Sequence, residues 1–395
     1  MKLADRMNRV KPSPIREFMA VAKRPEVTSF AGGMPASDLF PIDQINAATD
    51  AVMTEDPYNV LEYATTEGLP RLREQIAERM REKQQVEAAD ADHIIMLSGS
   101  QEGLSIAGQV FLNKGDLVLM ESPSYLGAIN AFNLCEPDFL SIPTDDDGMI
   151  IEELEKALRE NDNVKLIYVI PTFQNPSGKT WSMERRKEFM EVVNKYEVAV
   201  LEDNPYGELR YEGTDIPPLA ALDTKGLVVY LGSFSKVFVP GYRTGWMYCQ
   251  NKEIVDKFNF VKQAFSTQTP SSSMMILSKW LDMFSLDEHI EVLRDYYRRK
   301  KNAMVKVLRE ELPEGCKFTD PEGGIFTWVE LPEGMDAKDL SLQLLERNVA
   351  IIIGTGFYPE GGHENTLRLN FSNSPEDKIV EGTKIFCEVV KANLK

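Results

Sequence analysis

Five short apolar runs in the middle of the sequence end in side chains able to do chemistry. "HIIML" (His93–Leu97) leads into Ser98, Gly99, Ser100 and Gln101, and "LVLME" (Leu117–Glu121) into Ser122, Pro123, Ser124 and Tyr125. "LIYVIP" (Leu166–Pro171) leads into "TFQNPSG", which contains Asn175; "VAVLE" (Val198–Glu202) into Asp203, Asn204, Pro205 and Tyr206; and "VVYLG" (Val228–Gly232) into Ser233, Ser235 and Lys236. Ligands of open α/β sheets bind beyond the carboxyl ends of the strands, so these groups are expected to converge on one edge. Taken singly each has an ordinary reading: Gly99-Ser100 as a helix cap, Asp203 as a turn residue, Lys236 as a solvated loop lysine. The combination points further. A lysine in apolar surroundings can be held partly neutral and form a Schiff base with a carbonyl carbon.

An aspartate beside a heteroaromatic nitrogen keeps that nitrogen protonated and makes its ring an electron sink. Serines, an arginine and a helix N-terminus with free N–H groups are suitable donors for a phosphate. Those are the requirements of pyridoxal phosphate, and Asp203 and Lys236, 33 positions apart on successive strand ends, meet them.

The elements that must position these residues follow from pattern. The stretches His93–Gly99, Asp116–Pro123, Val164–Pro171, Glu197–Asn204 and Leu227–Ser233 read as buried strands, rich in large apolar residues and ending in small or turn-forming ones. Helical patterns lie between several of them, such as Ser182–Tyr196, where Ser182 can cap and Glu184 and Arg185 open the first turns. Strand, helix, strand at this spacing implies an α/β fold with a mainly parallel sheet. The last third differs. Leu286–Leu312 reads as one long helix, and "GGIFTWVEL" (Gly323–Leu331) and "TLRLNFS" (Thr366–Ser372) alternate or nearly so, giving a smaller α+β domain with its boundary near 280–290.

The 395 residues are 43% hydrophobic and 27% charged, ordinary for a folded globular chain. A net charge of -18 argues against nucleic acid as a partner, although a local site can still be positive. Four cysteines (Cys135, Cys249, Cys316, Cys387) form no CxxC pair and three histidines are scattered, so no metal site is expected. The N-terminus is charged throughout and lacks a signal-like apolar segment, and no run approaches the ~20 apolar residues of a membrane span. A soluble cytoplasmic protein is expected.

"SFSKVFVPGYRTGW" (Ser233–Trp246) resembles the cofactor-lysine motif of the fold-type-I pyridoxal-phosphate aminotransferases. "SGSQEGL", "PTFQNPSG", "EDNPYGELRY" and "TLRLNFS" resemble that family's other signatures, in the family's order, over about residues 30–375. The resemblance implies a mainly parallel seven-stranded sheet flanked by helices. It implies a large pyridoxal-phosphate-binding domain at 46–285, a small domain at 286–395, and a segment 1–45 packing on the small domain and the active site. It implies that Lys236 bonds the cofactor covalently, Asp203 pairs with the ring nitrogen, Tyr206 and Asn175 bond the ring hydroxyl oxygen, and Tyr125 stacks on the ring. Ser100, Gln101, Ser233, Ser235 and Arg243 would hold the phosphate, and Arg368 the substrate α-carboxylate. Gly241 and Gly245 are expected to let the backbone turn closely around the site. Tyr63, in "LEYATTEGLPRLRE", matches a tyrosine that reaches the phosphate from a neighbouring subunit, implying a homodimer. "SPIREFM" followed by "SFAGGMP" resembles the 2-aminoadipate, kynurenine, aromatic and branched-chain subgroup; there Gly33 matches a glycine beside the substrate, and Arg16 an arginine that in some members meets a distal substrate carboxylate. The implied reaction moves an amino group from an amino acid to a 2-oxo acid, with 2-oxoglutarate the expected acceptor and ping-pong kinetics. A β-lyase or decarboxylase on the same scaffold is the alternative. A ligand-sensing regulator is disfavoured by the charge and by the start of "SFAGGMP" near residue 29, which leaves no room for a helix-turn-helix module.

Overall fold

The five apolar runs fold as strands because each is buried on both faces. The computed structural model describes residues 2–9, 24 and 26–394. In it, β1 (Ile94–Leu97), β2 (Leu117–Ser122), β3 (Asp138–Asp145), β4 (Gly148–Met149), β5 (Val164–Val169), β6 (Ala199–Asn204), β7 (Val228–Ser233) and β8 (Gly245–Tyr248) form one sheet. Their spatial order is β1-β8-β7-β6-β5-β2-β3-β4. Strands β3, β2, β5, β6 and β7 are mutually parallel. Strand β8 runs antiparallel to both its neighbours, β7 and β1. Seven of these strands make up the expected sheet, and the two-residue β4 adds an antiparallel edge.

Successive residues point to opposite sides, as a pleated strand requires. Ile95, Leu97, Val118, Met120, Leu166, Tyr168, Leu201, Val229 and Leu231 pack on one face with residues of helices Ser100–Phe111, Leu126–Phe132 and Lys252–Phe265. Their neighbours Ile94, Met96, Leu119, Ile167, Val200, Val228 and Tyr230 pack on the other with helices Ile151–Glu160 and Met183–Tyr196. Helices on both faces explain why the strands read as continuous apolar runs. Ser182 caps the last of these helices as expected, accepting from the Arg185 N–H at 3.1 Å.

A second sheet is antiparallel, in the order β9 (Lys317–Phe318), β10 (Phe326–Glu330), β12 (Thr366–Asn370), β11 (Ile352–Ile353). The alternation expected in β10 and β12 does not translate into one wet face: Phe326 to Val329 and all of β12 are buried. Leu367 and Leu369 join the core, whereas Arg368, between them, turns to the opposite side and the residues described below. The long helix spans Leu286–Glu311, with Ser285 as its cap. The strap Thr28–Ser29 pairs in parallel with Val349–Ala350, and the Asn370 N–H donates to the Phe30 carbonyl at 2.9 Å. One sheet is built wholly within 94–248 and the other within 317–370, which supports a proposed division into 46–285 and 286–395 with the N-terminal strap packed on the second unit.

Candidate active site

The carboxyl ends of the parallel strands enclose a cavity of about 160 Å³. Ser100, Gln101, Tyr125, Asn175, Asp203, Tyr206, Ser233, Ser235, Lys236 and Arg243 all line it, joined by Ile170, Pro205 and Pro240. Arg243 arrives there by a different route from the rest. It precedes β8, and because β8 is antiparallel its starting end lies at the edge where the other strands finish.

Asp203 is 2% exposed and is the last residue but one of β6. Its Oδ2 accepts from the Tyr168 hydroxyl at 3.0 Å, and its Oδ1 has no hydrogen-bond partner among the described residues. Burial pushes its pKa up to about 7, against the Tyr168 hydrogen bond. The Lys236 amine donates to the Gly33 carbonyl at 2.7 Å. Burial, then the charges of Arg368 and Arg243, lower its pKa to about 8. Tyr125 and Tyr206 are both shifted upward by burial and stay neutral phenols.

Arg368, 2% exposed, donates from Nη1 to Asn175 Oδ1 at 2.8 Å and from Nη2 to the Ala31 carbonyl at 2.9 Å. Its guanidinium lies 4.0 Å from the Phe326 ring centre and 5.2 Å from that of Phe357. Such flanking holds the planar fork in place. Burial lowers its pKa to about 10, so it remains a cation at neutral pH. Asn175 donates to the Tyr206 hydroxyl at 3.3 Å and thereby joins Arg368 to the cavity.

The phosphate-type donors cluster at the other end. Ser100 and Gln101 open helix Ser100–Phe111. Arg243 Nη1 donates to Ser235 Oγ at 3.4 Å and Nη2 to the Ser98 carbonyl at 3.1 Å. Arg243 itself sits at φ +51, a conformation that costs a non-glycine residue roughly 1 kcal/mol or more and tends to mark functional sites. Gly99, at φ +83, is required there: a Cβ would lie 2.3 Å from Arg243 Nη2. Gly245 is required by close approach, since its Cβ would lie 2.8 Å from the Gly232 carbonyl oxygen. Gly241 is a correction: a Cβ there would meet nothing within 4 Å, so close packing does not demand glycine.

Of the remaining expected residues, Gly33 lies beside the amine through its carbonyl, and a Cβ on it would come within 2.9 Å of Phe326. Tyr63 is 82% exposed and does not line the cavity of its own chain. Arg16 lies outside the described residues. Sequence reading missed Tyr168 and the carbonyls of Ala31 and Gly33. Tyr168 had a signal, being a lone phenol in an aliphatic strand; the carbonyls had none.

A group with a ring N–H and a phosphate fits this donor set. The unpartnered, buried Asp203 oxygen suits a cationic N–H, and the serines, Arg243 and the helix N-terminus suit a phosphate.

The family model described as aminotransferase class I and II matches residues 30–384. The chain is 41% identical to an aromatic-amino-acid aminotransferase of Thermococcus litoralis, over 98% of this chain and 93% of the relative. It is 36% identical to a 2-aminoadipate transaminase of Thermus thermophilus, over 98% and 96%. A crystal structure of Pyrococcus horikoshii kynurenine aminotransferase in complex with PMP is similar with a TM-score of 0.95 and 39% identity, covering 100% of this chain and 98% of that one.

Proposed function

The chain belongs to the class I and II aminotransferase family and is a pyridoxal-phosphate-dependent aminotransferase, and on that footing we propose a role for each residue of its cavity. The observation that carries the assignment is that a lysine amine of lowered pKa, a buried carboxylate with a free oxygen and a chain of bonds to a buried arginine meet at one site. When bound, pyridoxal phosphate supplies an electron-withdrawing ring that acidifies the substrate α-carbon. Asp203, whose Oδ1 is unpartnered, would pair with the ring nitrogen and keep it protonated. Tyr206 and Asn175 would hold the ring hydroxyl oxygen, and Tyr125 would stack on the ring. Ser100, Gln101, Ser233, Ser235 and Arg243 bind the phosphate. Arg368 binds the substrate α-carboxylate with its planar fork.

Lys236 would hold the cofactor covalently between turnovers. Released by an incoming amino acid, its neutral amine would take the substrate α-proton and later give it back, acting as base and then acid. The Gly33 carbonyl, 2.7 Å from the amine, holds it within the cavity for that transfer. One water would release the product 2-oxo acid, the amino group staying behind on the enzyme, and a second 2-oxo acid, 2-oxoglutarate on this reading, would collect that group by the reverse course and return the water.

The donor is proposed to be 2-aminoadipate or an aromatic or branched-chain amino acid. The names of the two relatives support this, as does the "SPIREFM…SFAGGMP" resemblance. A panel of donors with 2-oxoglutarate, followed by cofactor absorbance, tests it; turnover confined to donors outside these three classes would reject it. Replacing Arg368 by lysine keeps the charge and loses the fork. We expect kcat/KM for every amino donor to fall by about 100-fold to 1,000-fold, mostly through KM, with the visible cofactor band kept. Steady-state kinetics check this, and an unchanged KM would remove Arg368 from its role.

A homodimer is proposed, with Tyr63 reaching the phosphate of the neighbouring subunit. The exposure of Tyr58, Leu61 and Tyr63 at 86%, 75% and 82% supports a covered face there. Sedimentation at micromolar concentration should give twice the monomer mass; a monomer with full activity would refute the shared site. Among the described residues no helix is long and apolar enough to cross a membrane. A cytoplasmic location is a separate part of the proposal.

A further inference from the structure

Asn175 ties Arg368 to the cavity, since it accepts from Arg368 and donates to Tyr206. It sits in residues 171–181, which lie between β5 and helix Met183–Tyr196 and form neither strand nor helix. Phe173, inside this stretch, is held at φ +51. The segment is bonded within itself, the Trp181 N–H donating to the Pro171 carbonyl at 2.8 Å and the Gln174 N–H to that of Lys179 at 2.8 Å, so what remains to be fixed is its placement against the sheet.

The ties converge on two buried side chains. Glu121, on β2 and 1% exposed, accepts from the Ile170 N–H through Oε2 at 2.9 Å and from Trp181 Nε1 through Oε1 at 3.1 Å. Its two oxygens thus grip the entry and the exit of the loop. Arg186, 0% exposed, donates to the Pro171 and Trp181 carbonyls at 3.0 and 3.2 Å and to Thr172 Oγ1 at 2.9 Å. Gln174 adds a bond to the Pro123 carbonyl at 2.7 Å.

Glu121 is an expensive way to hold a loop if stability were the purpose. Burial pushes its pKa up to about 7, and its partners are two N–H groups and the Gln174 amide, with no cation among the contributors. Buried charges of this kind are often replaced by apolar residues with neutral or favourable effect on stability. What an apolar residue could not do is receive two donors from both ends of the loop at fixed spacing.

We infer that Glu121 is a positioning residue of the aminotransferase reaction: by clasping Ile170 and Trp181 it fixes the loop so that Asn175 bonds Arg368 and Tyr206 at once. It touches neither substrate nor cofactor. The inference rests on the role proposed above for Asn175.

The test uses holoenzyme of Glu121→Gln, Asn175→Ala and the double variant. Two quantities are read: the pH midpoint of the visible absorbance of the bound cofactor, and KM and kcat for the best donor of the panel above. An amide presents a donor where the carboxylate accepts, so one of the two ties is lost. Loss of a donor to the ring oxygen should move the midpoint upward in Asn175→Ala, by on the order of one unit. Glu121→Gln should move it in the same direction by less, and raise KM about threefold to thirtyfold with a smaller change in kcat. Added to Asn175→Ala, it should change neither quantity further. An unmoved midpoint in Glu121→Gln, or effects that add in the double variant, would overturn the inference. An unmoved midpoint in Asn175→Ala would remove the role of Asn175 and with it that of Glu121. If Glu121→Gln does not fold, Trp181→Phe keeps an aromatic side chain, though a smaller one, and removes one donor, and the same shifts and the same non-additivity are expected of it.

Discussion

Replacing Lys236 with alanine should lower turnover by at least about 100,000-fold and abolish the visible band of the enzyme-bound cofactor. One side chain serves both as covalent anchor and as the base that moves the α-proton, and residues acting as a unit in this way give losses of that order when one is removed. Arg368 and the phosphate donors remain, so substrate and cofactor should still bind the variant, without the bond. The native lysine also makes a pH prediction. Its pKa of about 8 lies below the ordinary 10.5 because burial and two nearby guanidinium groups disfavour the ammonium. In cofactor-free protein the neutral amine is the form that attacks the pyridoxal aldehyde. The rate of cofactor uptake should therefore rise about tenfold per pH unit below 8 and level off above it. The folded chain binds fewer protons than the unfolded one between 8 and 10.5, so this residue's share of apo stability rises with pH across that window. Uptake that inflects near 10 would show that the amine is not desolvated.

The second large effect is expected from Asp203→Asn. The amide can still accept from Tyr168, so the local packing survives, but no charge faces the ring nitrogen. Truncating one side of a buried charge pair costs about 2–5 kcal/mol, and we expect kcat to fall by about 100-fold to 10,000-fold. Stability should move the other way. The folded pKa of about 7 is raised above the ordinary 3.8, so the native carboxyl's contribution is present below pH 4 and is lost as pH rises through 7. Asparagine carries no such loss. The melting temperature of cofactor-free Asp203→Asn should therefore gain on the native chain between pH 4 and 7 and hold that gain above 7. Equal pH dependence of the two melting curves would contradict a buried, unpaired carboxyl. A variant that is more stable and far less active would mark Asp203 as a residue kept for chemistry.

Much of this site is legible in the sequence because its residues sit at strand ends, and buried parallel strands leave a strong local pattern. The runs ending at Ser98, Ser122, Asp203 and Ser233 announce themselves, and the chemistry follows each within a few positions. Strand β8 is harder to see. Four residues long and preceded by "PGYRT", it carries little local signal, yet its antiparallel direction is what delivers Arg243. Strand β3 is half-exposed and contains Pro143 and two aspartates, so neither a continuous nor an alternating apolar pattern marks it. The contacts least visible beforehand are those furthest apart in the chain. Lys236 to Gly33 and Arg368 to Ala31 span 203 and 337 positions and use backbone oxygens, which have no side-chain identity to read.

A lowered lysine pKa does not by itself mark the catalytic residue. Lys262 and Lys300 are 0% and 3% exposed, and burial brings their pKa values to about 8 as well. Lys262 donates to the Thr66 carbonyl and Lys300 to that of Ser372, and neither lines the cavity that holds Asp203. Position, not acidity, separates them. The most direct measurement is therefore borohydride reduction of the holoenzyme, followed by proteolysis and mass mapping of the peptide that carries the cofactor. One label per chain on Lys236, in the peptide containing "SFSKVFVPGYR", is the expected result. A label on Lys262 or Lys300, or no covalent label at all, would contradict the assignment of the site.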